Sequence, residues 1–380
     1  MFFDNASTTM VDETIIDKLK KFNKDYFYNP GALYKTGQKS KVVLETMRNE
    51  LLEILDGDGK IIFTGSATEA NNLALIGSVK KNTKKILVSV GEHPSVYNTA
   101  LELKARGFDV EFVNLDKSGK VDIVDFENKM TADVDLVSIM HVNNETGAIN
   151  DIATLVEIAK SKNKNVIFHS DGVQAFGKIP VSVSDLGVDM YTISAHKIHG
   201  SKGVGALFLK NKVGIKPIIF GGGQEGGLRS GTENMLGIFT LVEAGKIATN
   251  NLEENYQKVS DLKKYFIKKL GDSNVQFLLN SSEDNSPYVV SISLLNCRAE
   301  TILNMLSDND IFVGNGSACS SKKRGNRILE NMGLSQKEID GNLRISFSKY
   351  NTETEVDFLV EKLVECVYEY IKNTKLLLIF

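Results

Sequence analysis

Three ionisable side chains come directly after short β-branched runs of the sequence. Lys197 follows "DMYTI", Asp171 follows "NVIF" and His93 follows "KILVSV". A partly desolvated lysine has a lowered pKa and can form a Schiff base with a carbonyl compound. A carboxylate or a histidine near it can hold or move protons. Each residue alone also fits a plainer role, as a helix cap, a loop histidine or a lysine that reaches solvent.

The segment "FTGSATEANN", residues 63–72, predicts a strand that runs into a glycine-containing turn and then a helix. Free backbone N–H groups at a helix start, with the hydroxyls of Ser66 and Thr68, suit a phosphate group. The same residues also fit a capping box between Ser66 and Glu69, which needs no ligand. In isolation, the segment leaves both interpretations open.

A further strand is followed by "HVNNETG", where Asn144 and Glu145 offer groups that can orient a ligand. Together, five strand ends carry polar clusters, and ligands bind beyond the carboxyl ends of strands in such sheets. The clusters supply the phosphate cradle, lysine, acidic partner and histidine that pyridoxal phosphate requires. The sequence therefore predicts a pyridoxal phosphate site. His196 and His199 lie three apart with no third ligand nearby, so no metal site is predicted.

The three cysteines of the chain are predicted to differ in role. Cys366 and Cys297 lie in or beside apolar runs, which favours burial. Cys319 lies in "NGSACSSKK", residues 315–323, among glycine and serine and beside basic residues that favour the thiolate. This pattern predicts a nucleophile on a mobile loop, able to carry a group from a buried substrate to an outside acceptor.

Between residues 40 and 240, strand-like runs alternate with segments of helical periodicity, which predicts an α/β fold with a mostly parallel sheet. The predicted strands are "KIIFTG", "KILVSV", "DVEFVNL", "VDLVSIMHV", "NVIFHSD", "DMYTISAH" and "GVGALFLK". Residues 233–270 predict one or two long helices, and a mixed order of strands and helices follows. We therefore expect a smaller α+β domain at the C-terminus.

A chain of 380 residues exceeds the size of one ordinary hydrophobic core. We expect a large domain over residues 13–255, and a small domain made of residues 1–12 and 256–380. The formal charge of −3 gives no general attraction for nucleic acid or an anionic membrane. The sequence shows no secretion signal and no membrane-spanning run, so a cytoplasmic location is expected.

The motifs together resemble those of the cysteine desulfurases, class V enzymes of the fold-type I pyridoxal phosphate group. The motifs that carry the resemblance are "FDNASTT", "FTGSATEANN", "GEHPSV", "HVNNETG", "SDGVQAFGK", "SAHKIHG", "GGGQEGGLRSGTEN", "GSACSS" and "LRISFSKYNT". They appear in the family's order over nearly the whole chain. Lys197 follows Asp171 by 26 positions (197 − 171), as in the family. The serine-rich cysteine segment resembles the group with a long mobile loop.

The resemblance implies a set of cofactor-binding residues: Ala67, Thr68, His93, Asn144, Asp171, Gln174, Ser194, His196, Lys197 and Thr232. In the family's pattern, Lys197 forms the Schiff base and Asp171 pairs with the pyridinium nitrogen. Gln174 hydrogen-bonds the ring hydroxyl, and His93 stacks on the ring and relays a proton.

The resemblance also implies how the phosphate and the substrate are held. Thr68, Ser194 and His196 would bind the phosphate, together with Thr232 from the other subunit of a homodimer. Asn144 and Arg344 would bind the substrate carboxylate, for which a guanidinium fork is well suited.

The implied reaction converts L-cysteine to L-alanine and leaves a persulfide on Cys319, with Lys197, His93 and Cys319 as the catalytic residues. The sulfur would pass to an acceptor protein, such as an iron–sulfur scaffold or a tRNA-thiolating enzyme. A selenocysteine lyase, or another class V lyase or transaminase, is the nearest alternative, although a transaminase has no use for a mobile thiol. A non-enzymatic scaffold that binds the cofactor and recruits sulfur-transfer proteins is a second alternative. The intact set of Lys197, Asp171, Cys319 and Arg344 argues against it.

The sequence departs from the family's pattern at two positions. Tyr34 stands where histidine is common, and Ser201 replaces a proline after "HKIHG". Neither change removes a predicted catalytic group.

Overall fold

A computed structural model of the protein describes residues 1–316 and 326–377. Most of the strands in this part of the chain belong to one central sheet. The strands are β1 (Phe2–Phe3), β2 (Gly59–Thr64), β3 (Lys85–Ser89), β4 (Asp109–Val113), β5 (Val134–Ser138), β6 (Ile167–Asp171), β7 (Met190–Ser194), β8 (Gly205–Lys210), β9 (Phe277–Leu279), β10 (Val289–Leu294), β11 (Phe312–Val313) and β12 (Asn342–Ser346). All seven strands predicted between residues 40 and 240 are confirmed. β6 ends at Asp171, so Asp171 is the last residue of this strand and not the first residue after the strand.

The helices connect these strands and cover the sheet. They are α1 (Glu13–Tyr26), α2 (Lys35–Ile54), α3 (Ala67–Ser78), α4 (Pro94–Ala105), α5 (Ile123–Lys129), α6 (Ile152–Lys162), α7 (Val183–Leu186), α8 (Met235–Asn250), α9 (Leu252–Gly271), α10 (Ala299–Ser307), α11 (Arg327–Asn331), α12 (Gln336–Asp340) and α13 (Glu353–Leu377). The long helices predicted over residues 233–270 are α8 and α9. In the part of the chain that the structure describes, no helix has the length and apolar character needed to cross a membrane.

Seven strands form one sheet in the order β2-β8-β7-β6-β5-β3-β4. The strands from β7 to β4 in this order pair in parallel, which confirms the mostly parallel sheet. β8 runs antiparallel to both neighbours, and β2 therefore has the same direction as β7. As a result, β2, β3, β5, β6 and β7 all end at one edge of the sheet. The predicted polar clusters follow these five strands, so the topology gathers them at that edge.

The sheet is buried on both faces. Along β2, Ile61 and Phe63 join one apolar cluster, whereas Ile62 joins another. Successive side chains of a strand point to opposite faces, so the two clusters fill the two layers between sheet and helices. A sheet covered on both sides leaves its carboxyl-end edge as the open position for ligands.

A third apolar cluster lies in the C-terminal region. It contains Phe3 and residues between Val259 and Val367, among them Cys297 and Cys366, whose predicted burial is confirmed. β9, β10 and β12 form an antiparallel sheet here, and β1 pairs with β11. The division at residue 255 stays a prediction, and this separate cluster supports it. Residues of α11, such as Ile328 and Leu329, pack instead with the cluster of the large region.

Candidate active site

A cleft of about 490 Å³, partly open to solvent, lies at the edge where the five strands end. Its lining residues come from these strand ends, the N-terminal segment and β12: Ala6, Ser7, Ser66, Ala67, Thr68, Asn71, His93, Pro94, Ser95, Met140, Asn144, Asp171, Val173, Gln174, His196, Lys197, Gly316 and Arg344. The predicted residues Ala67, Thr68, His93, Asn144, Asp171, Gln174, His196, Lys197 and Arg344 are all among them. The structure thus brings together groups that the sequence spreads over nearly 280 positions.

Lys197 lies at the end of a short 3-10 helix, Ala195–Lys197, directly after β7. Its Nζ donates a hydrogen bond to the carbonyl oxygen of Ala6 at 2.6 Å and another to that of Ser7. Burial and the nearby Arg344 guanidinium lower the pKa of Lys197 to about 8, against the opposing effect of the carboxylates. A lowered pKa increases the fraction of free amine at neutral pH, which suits a nucleophile or base.

Asp171 is buried at the end of β6, and its two carboxylate oxygens are held separately. Asn71 Nδ2 donates to Oδ2 at 2.8 Å, and the backbone N–H of Val173 donates to Oδ1 at 3.0 Å. Asn71 Nδ2 also donates to Ser95 Oγ at 2.8 Å. Asn71 is fully buried on α3 and was not predicted from the sequence. These donors fix the orientation of the carboxylate toward the cleft.

His93 is the N-cap of α4, and Pro94 is the first residue of that helix. The backbone N–H of Ser95 donates to His93 Nδ1 at 3.1 Å. Because Nδ1 accepts this bond, the proton of the neutral ring is on Nε2. Desolvation and the nearby Lys197 ammonium lower the pKa of His93, whereas the Asp171 carboxylate acts to raise it. The ring is therefore neutral and offers an N–H donor from Nε2.

The start of α3 forms one end of the cleft. Ser66 Oγ accepts from the backbone N–H of Glu69 at 3.1 Å, which confirms half of the predicted capping box. The other half is wrong, because Glu69 accepts from the N–H of Gly65 at 2.9 Å and pairs with Arg229 at 2.7 Å. With the Glu69 amide occupied, the first N–H groups of the helix, at Ala67 and Thr68, have no partner within it.

Ser194 and His196 lie beside this helix start. Ser194 pairs with Gly205 across β7 and β8, and a Cβ atom on Gly205 would lie 2.7 Å from the backbone nitrogen of Ala67. Ser194 Oγ is buried without a hydrogen-bond partner among the described residues. Burial, with nearby lysines, lowers the pKa of His196 to about 4, so its ring is neutral at pH 7.

Arg344 lies on β12 and lines the same cleft. Its Nη1 donates to the carbonyl oxygen of Asn144 at 3.0 Å, and its Nη2 donates to Asp4 Oδ1 at 2.7 Å. Arg344 Nε and Asn144 Oδ1 are buried and lack partners within the described part of the chain. Unpaired buried donors and acceptors of this kind are costly unless a ligand satisfies them.

Gln174 is buried between the cleft and the N-terminal segment. Its Nε2 donates to the carbonyl oxygen of Ala6 at 2.8 Å, the same oxygen that accepts from Lys197. Its Oε1 accepts from Lys178 Nζ at 2.7 Å. Sequence reasoning missed Lys178 and the carbonyl groups of residues 6 and 7.

Gly316 and Asn326, the described residues that flank the cysteine segment, both lie against the buried carboxylate of Glu145. Asn326 Nδ2 donates to Glu145 Oε2 at 2.6 Å, and a Cβ atom on Gly316 would lie 3.0 Å from that oxygen. Gly316 lines the cleft. Cys319 itself lies outside the described residues, and so does the predicted loop around it.

The remaining predicted positions lie away from the cleft. Thr232 is exposed and does not line it, so its contribution from a second subunit stays a prediction. Tyr34 is exposed, and its ring contacts Tyr28 edge-on. Ser201 Oγ shares a hydrogen bond of 2.7 Å with Thr240 Oγ1. Neither departure from the family's pattern alters the lining of the cleft in this chain.

Comparisons with known proteins agree with this arrangement. Residues 1–359 match the family described as "Aminotransferase class-V". The cysteine desulfurase IscS 1 of Archaeoglobus fulgidus is 38% identical over 367 residues, which cover 95% of each protein. A solved NifS-like protein is 34% identical with a TM-score of 0.90, over 97% of this chain and 99% of that one. SspA in complex with cysteine is 28% identical with a TM-score of 0.80, over 92% and 99%. The predicted resemblance and fold class are confirmed, and the chain belongs to the class-V aminotransferase family, in which it groups with the cysteine desulfurases.

Proposed function

We propose that the protein is a pyridoxal phosphate-dependent cysteine desulfurase. The observation that carries the proposal is that Lys197, Asp171, the start of α3 and Arg344 line one cleft. Relatives named as cysteine desulfurases over nearly the full chain support it, and so does the neighbour solved with cysteine.

The residues of the cleft fit the proposed cofactor. Asn144 Oδ1 in the lining of the cleft, and Ser194 Oγ at the end of β7 outside that lining, are buried polar atoms without a partner in the described structure. The free amides of Ala67 and Thr68 and the hydroxyl of Thr68 supply neutral donors for a phosphate. Gly205 leaves room beside this helix start that a side chain would fill. The donor set is therefore suited to hold a phosphate at the start of α3, a protonated ring nitrogen at Asp171 and a carboxylate at Arg344.

Bound pyridoxal phosphate would supply an electron sink for the Cα–H bond of the amino acid. Lys197 would hold the cofactor through Nζ and, as a free amine with a pKa of about 8, take and return the Cα proton. Asp171 would keep the proton on the ring nitrogen, while Gln174 would donate to the ring hydroxyl. His93 would stack on the ring and offer the proton on Nε2.

The substrate would be held by its carboxylate. Arg344 has an unpaired Nε, and Asn144 lies against its guanidinium, so both can turn donors toward the anion. In the overall reaction, L-cysteine and the Cys319 thiol give L-alanine and a Cys319 persulfide. One sulfur atom is transferred, and no external oxidant is needed. Assigning this step to Cys319 rests on the sequence pattern.

The partners and the location follow the same proposal. We expect a homodimer in which Thr232 of the second copy completes the phosphate site, and a protein that accepts sulfur from Cys319. Iron–sulfur scaffolds and tRNA-thiolating enzymes are the acceptor classes that we propose. The cytoplasmic location also stays a proposal.

The experiment compares Lys197→Ala and Cys319→Ser with the wild-type protein. The wild type should be yellow and release sulfide from L-cysteine in the presence of a reducing thiol. Lys197→Ala should lose both properties, because it lacks the amine that holds the cofactor. Cys319→Ser should keep the colour and lose sulfide release.

Cys297→Ala is the matched control, because Cys297 is buried in the C-terminal apolar cluster and does not line the cleft. It should keep both the colour and the release of sulfide. Full sulfide release by Cys319→Ser would remove the persulfide step from the proposal. A wild type that is colourless after incubation with pyridoxal phosphate and removal of the unbound cofactor would overturn the cofactor assignment.

A further inference from the structure

Lys178 is a fully buried lysine that the proposed reaction does not use. In the part of the chain that the structure describes, no carboxylate forms an ion pair with it, and its side chain makes one hydrogen bond, to Gln174 Oε1 at 2.7 Å. The other charges that act on it are the cations Lys197 and Arg344. Burying an ammonium without an opposite charge is costly. The position therefore calls for an explanation other than stability.

The hydrogen bond to Lys178 fixes which way the Gln174 amide faces. A lysine side chain in its charged form has only donors, so the atom that meets it must be the amide oxygen. The amide nitrogen then faces the carbonyl oxygen of Ala6 at 2.8 Å and the cleft that Gln174 lines. An NH₂ group has two N–H donors, and Ala6 accepts one of them. The second is left for a ligand in the cleft.

We propose that Lys178 is a positioning residue that holds the Gln174 amide so that it presents an N–H donor to the cofactor. The inference rests on the proposed function, because it requires that pyridoxal phosphate binds in this cleft. Lys178 does not line the cleft itself, so its effect passes through Gln174. It faces a second, much smaller cavity of about 30 Å³, which Lys197 and Tyr288 also line.

The surroundings of Lys178 suit this role. Its Nζ lies 5.8 Å from the centre of the Tyr288 ring, whose face stabilises a cation. Burial and the two neighbouring cations lower the pKa of Lys178 to about 7. Both the ammonium and the neutral amine carry N–H donors, and the Ala6 carbonyl oxygen accepts only from the amide nitrogen, so Gln174 Oε1 faces Lys178 in either form.

The test is a double-mutant cycle with Lys178→Met and Gln174→Met. Methionine has a similar length but lacks a donor, and the cycle isolates the effect that one residue exerts through the other. The dissociation constant of pyridoxal phosphate is measured by titrating the cofactor-free variants, and the visible absorption band of the loaded variants is recorded. Lys178→Met should weaken binding about tenfold, the value of one lost hydrogen bond.

In the Gln174→Met background, the added Lys178→Met change should leave the dissociation constant unaltered. The absorption band of Lys178→Met should also move to the position that it has in Gln174→Met. A role limited to folding would not produce this shared spectrum. Equal weakening of binding by Lys178→Met in both backgrounds, or no weakening in either, would overturn the inference.

Lys263→Met is the control variant. Lys263 is a second buried lysine, which donates to the carbonyl oxygens of Ser282 and Asn285 away from the cleft. Its replacement should leave cofactor affinity unaltered. If the wild-type protein did not bind pyridoxal phosphate at all, the proposed function would fail. Tight binding in both the wild type and Lys178→Met would instead refute only the role of Lys178.

Discussion

Arg344 is built to offer a guanidinium fork, not only a positive charge. Two of its nitrogens are held by Asn144 and Asp4, and the third is buried without a partner in the described structure. Lysine at this position keeps the charge but loses the planar set of donors. In Arg344→Lys we expect kcat/KM for L-cysteine to fall about 10- to 100-fold, because a hydrogen bond to a charged group contributes about 1.5–3 kcal/mol.

Steady-state sulfide release at several L-cysteine concentrations measures this effect. The absorption band of the bound cofactor serves as the internal control, since Arg344 is proposed to contact the substrate only. An unchanged kcat/KM in Arg344→Lys would remove this residue from substrate binding.

Asn71 stabilises the cleft through a buried hydrogen bond to a carboxylate. Its Nδ2 is shared between Asp171 and Ser95, each at 2.8 Å. Asn71→Ala removes a donor from a buried charge, which costs about 1.5–3 kcal/mol of the free energy of unfolding. Urea unfolding of the cofactor-free protein measures the loss.

The neighbouring Asn72 provides the matched comparison. It is half-buried, and its Nδ2 donates to the backbone carbonyl oxygen of Thr68 at 2.8 Å, where solvent can replace it. Asn72→Ala should cost less than about 1 kcal/mol. An equal loss of unfolding free energy in Asn71→Ala and Asn72→Ala would mean that the hydrogen bond to Asp171 stabilises the protein no more than the partly exposed bond of Asn72 does.

The contact between β8 and the start of α3 shapes the part of the cleft that is proposed to hold the phosphate. A Cβ atom on Gly205 would lie 2.7 Å from both the Ala67 nitrogen and the Ser66 carbonyl carbon. Backbone atoms yield only if the helix start moves. Gly205→Ala should therefore lower the free energy of unfolding by about 1–3 kcal/mol. It should also weaken pyridoxal phosphate binding, measured by spectral titration.

Gly214→Ala is the control for this contact, because a Cβ atom there meets no neighbour within 4 Å and the residue is exposed. It should leave both stability and affinity unaltered. If Gly205→Ala bound pyridoxal phosphate as tightly as the wild type, the position of the start of α3 would not determine cofactor affinity.

The elements that were predictable from the sequence are those with local signals. Runs such as "KILVSV" predict strands by their β-branched residues, and the polar clusters after them predict a shared edge. The reversed direction of β8 has no such signal, because it depends on its pairing with β2 and β7. The carbonyl oxygen of Ala6 lies 191 positions from Lys197, and a backbone oxygen has no residue-type signature. Asn71 lies within a helix, where nothing in its neighbourhood marks it as a partner of Asp171.

At the scale of the whole molecule, burial lowers the pKa of all five histidines. The clearest case is His169, which is fully buried and has a pKa of about 3. Its two ring nitrogens hydrogen-bond Ser138 Oγ at 2.8 Å and Thr192 Oγ1 at 3.0 Å. His141 has a pKa of about 4, and its Nδ1 lies 2.7 Å from the hydroxyl oxygen of Tyr191. The folded chain therefore holds its histidines in the neutral form.

These shifts fix the sign of the pH dependence. Below pH of about 6.5, the unfolded chain binds protons at histidine that the folded chain does not, so stability falls as the pH is lowered toward about 4. Glu92 has the opposite effect on the pH dependence of stability. Burial and the Asp171 carboxylate raise its pKa, so the folded chain holds a proton on Glu92 at pH values where the unfolded chain does not. One opposing group does not cancel five histidines.

We therefore expect the free energy of unfolding of the cofactor-free protein to fall between pH 7 and pH 5. Each net proton contributes a slope of at most about 1.4 kcal/mol per pH unit. Urea unfolding at pH 7, 6 and 5 measures the slope, and an unchanged dependence on urea concentration shows that the folded state itself is retained. His169→Gln keeps a donor and an acceptor but cannot titrate, so its slope should be shallower than that of the wild type, even if its stability at pH 7 is lower. A wild-type stability that stays flat or rises from pH 7 to pH 5 would contradict the prediction, because it would mean that the buried rings are protonated in the folded chain.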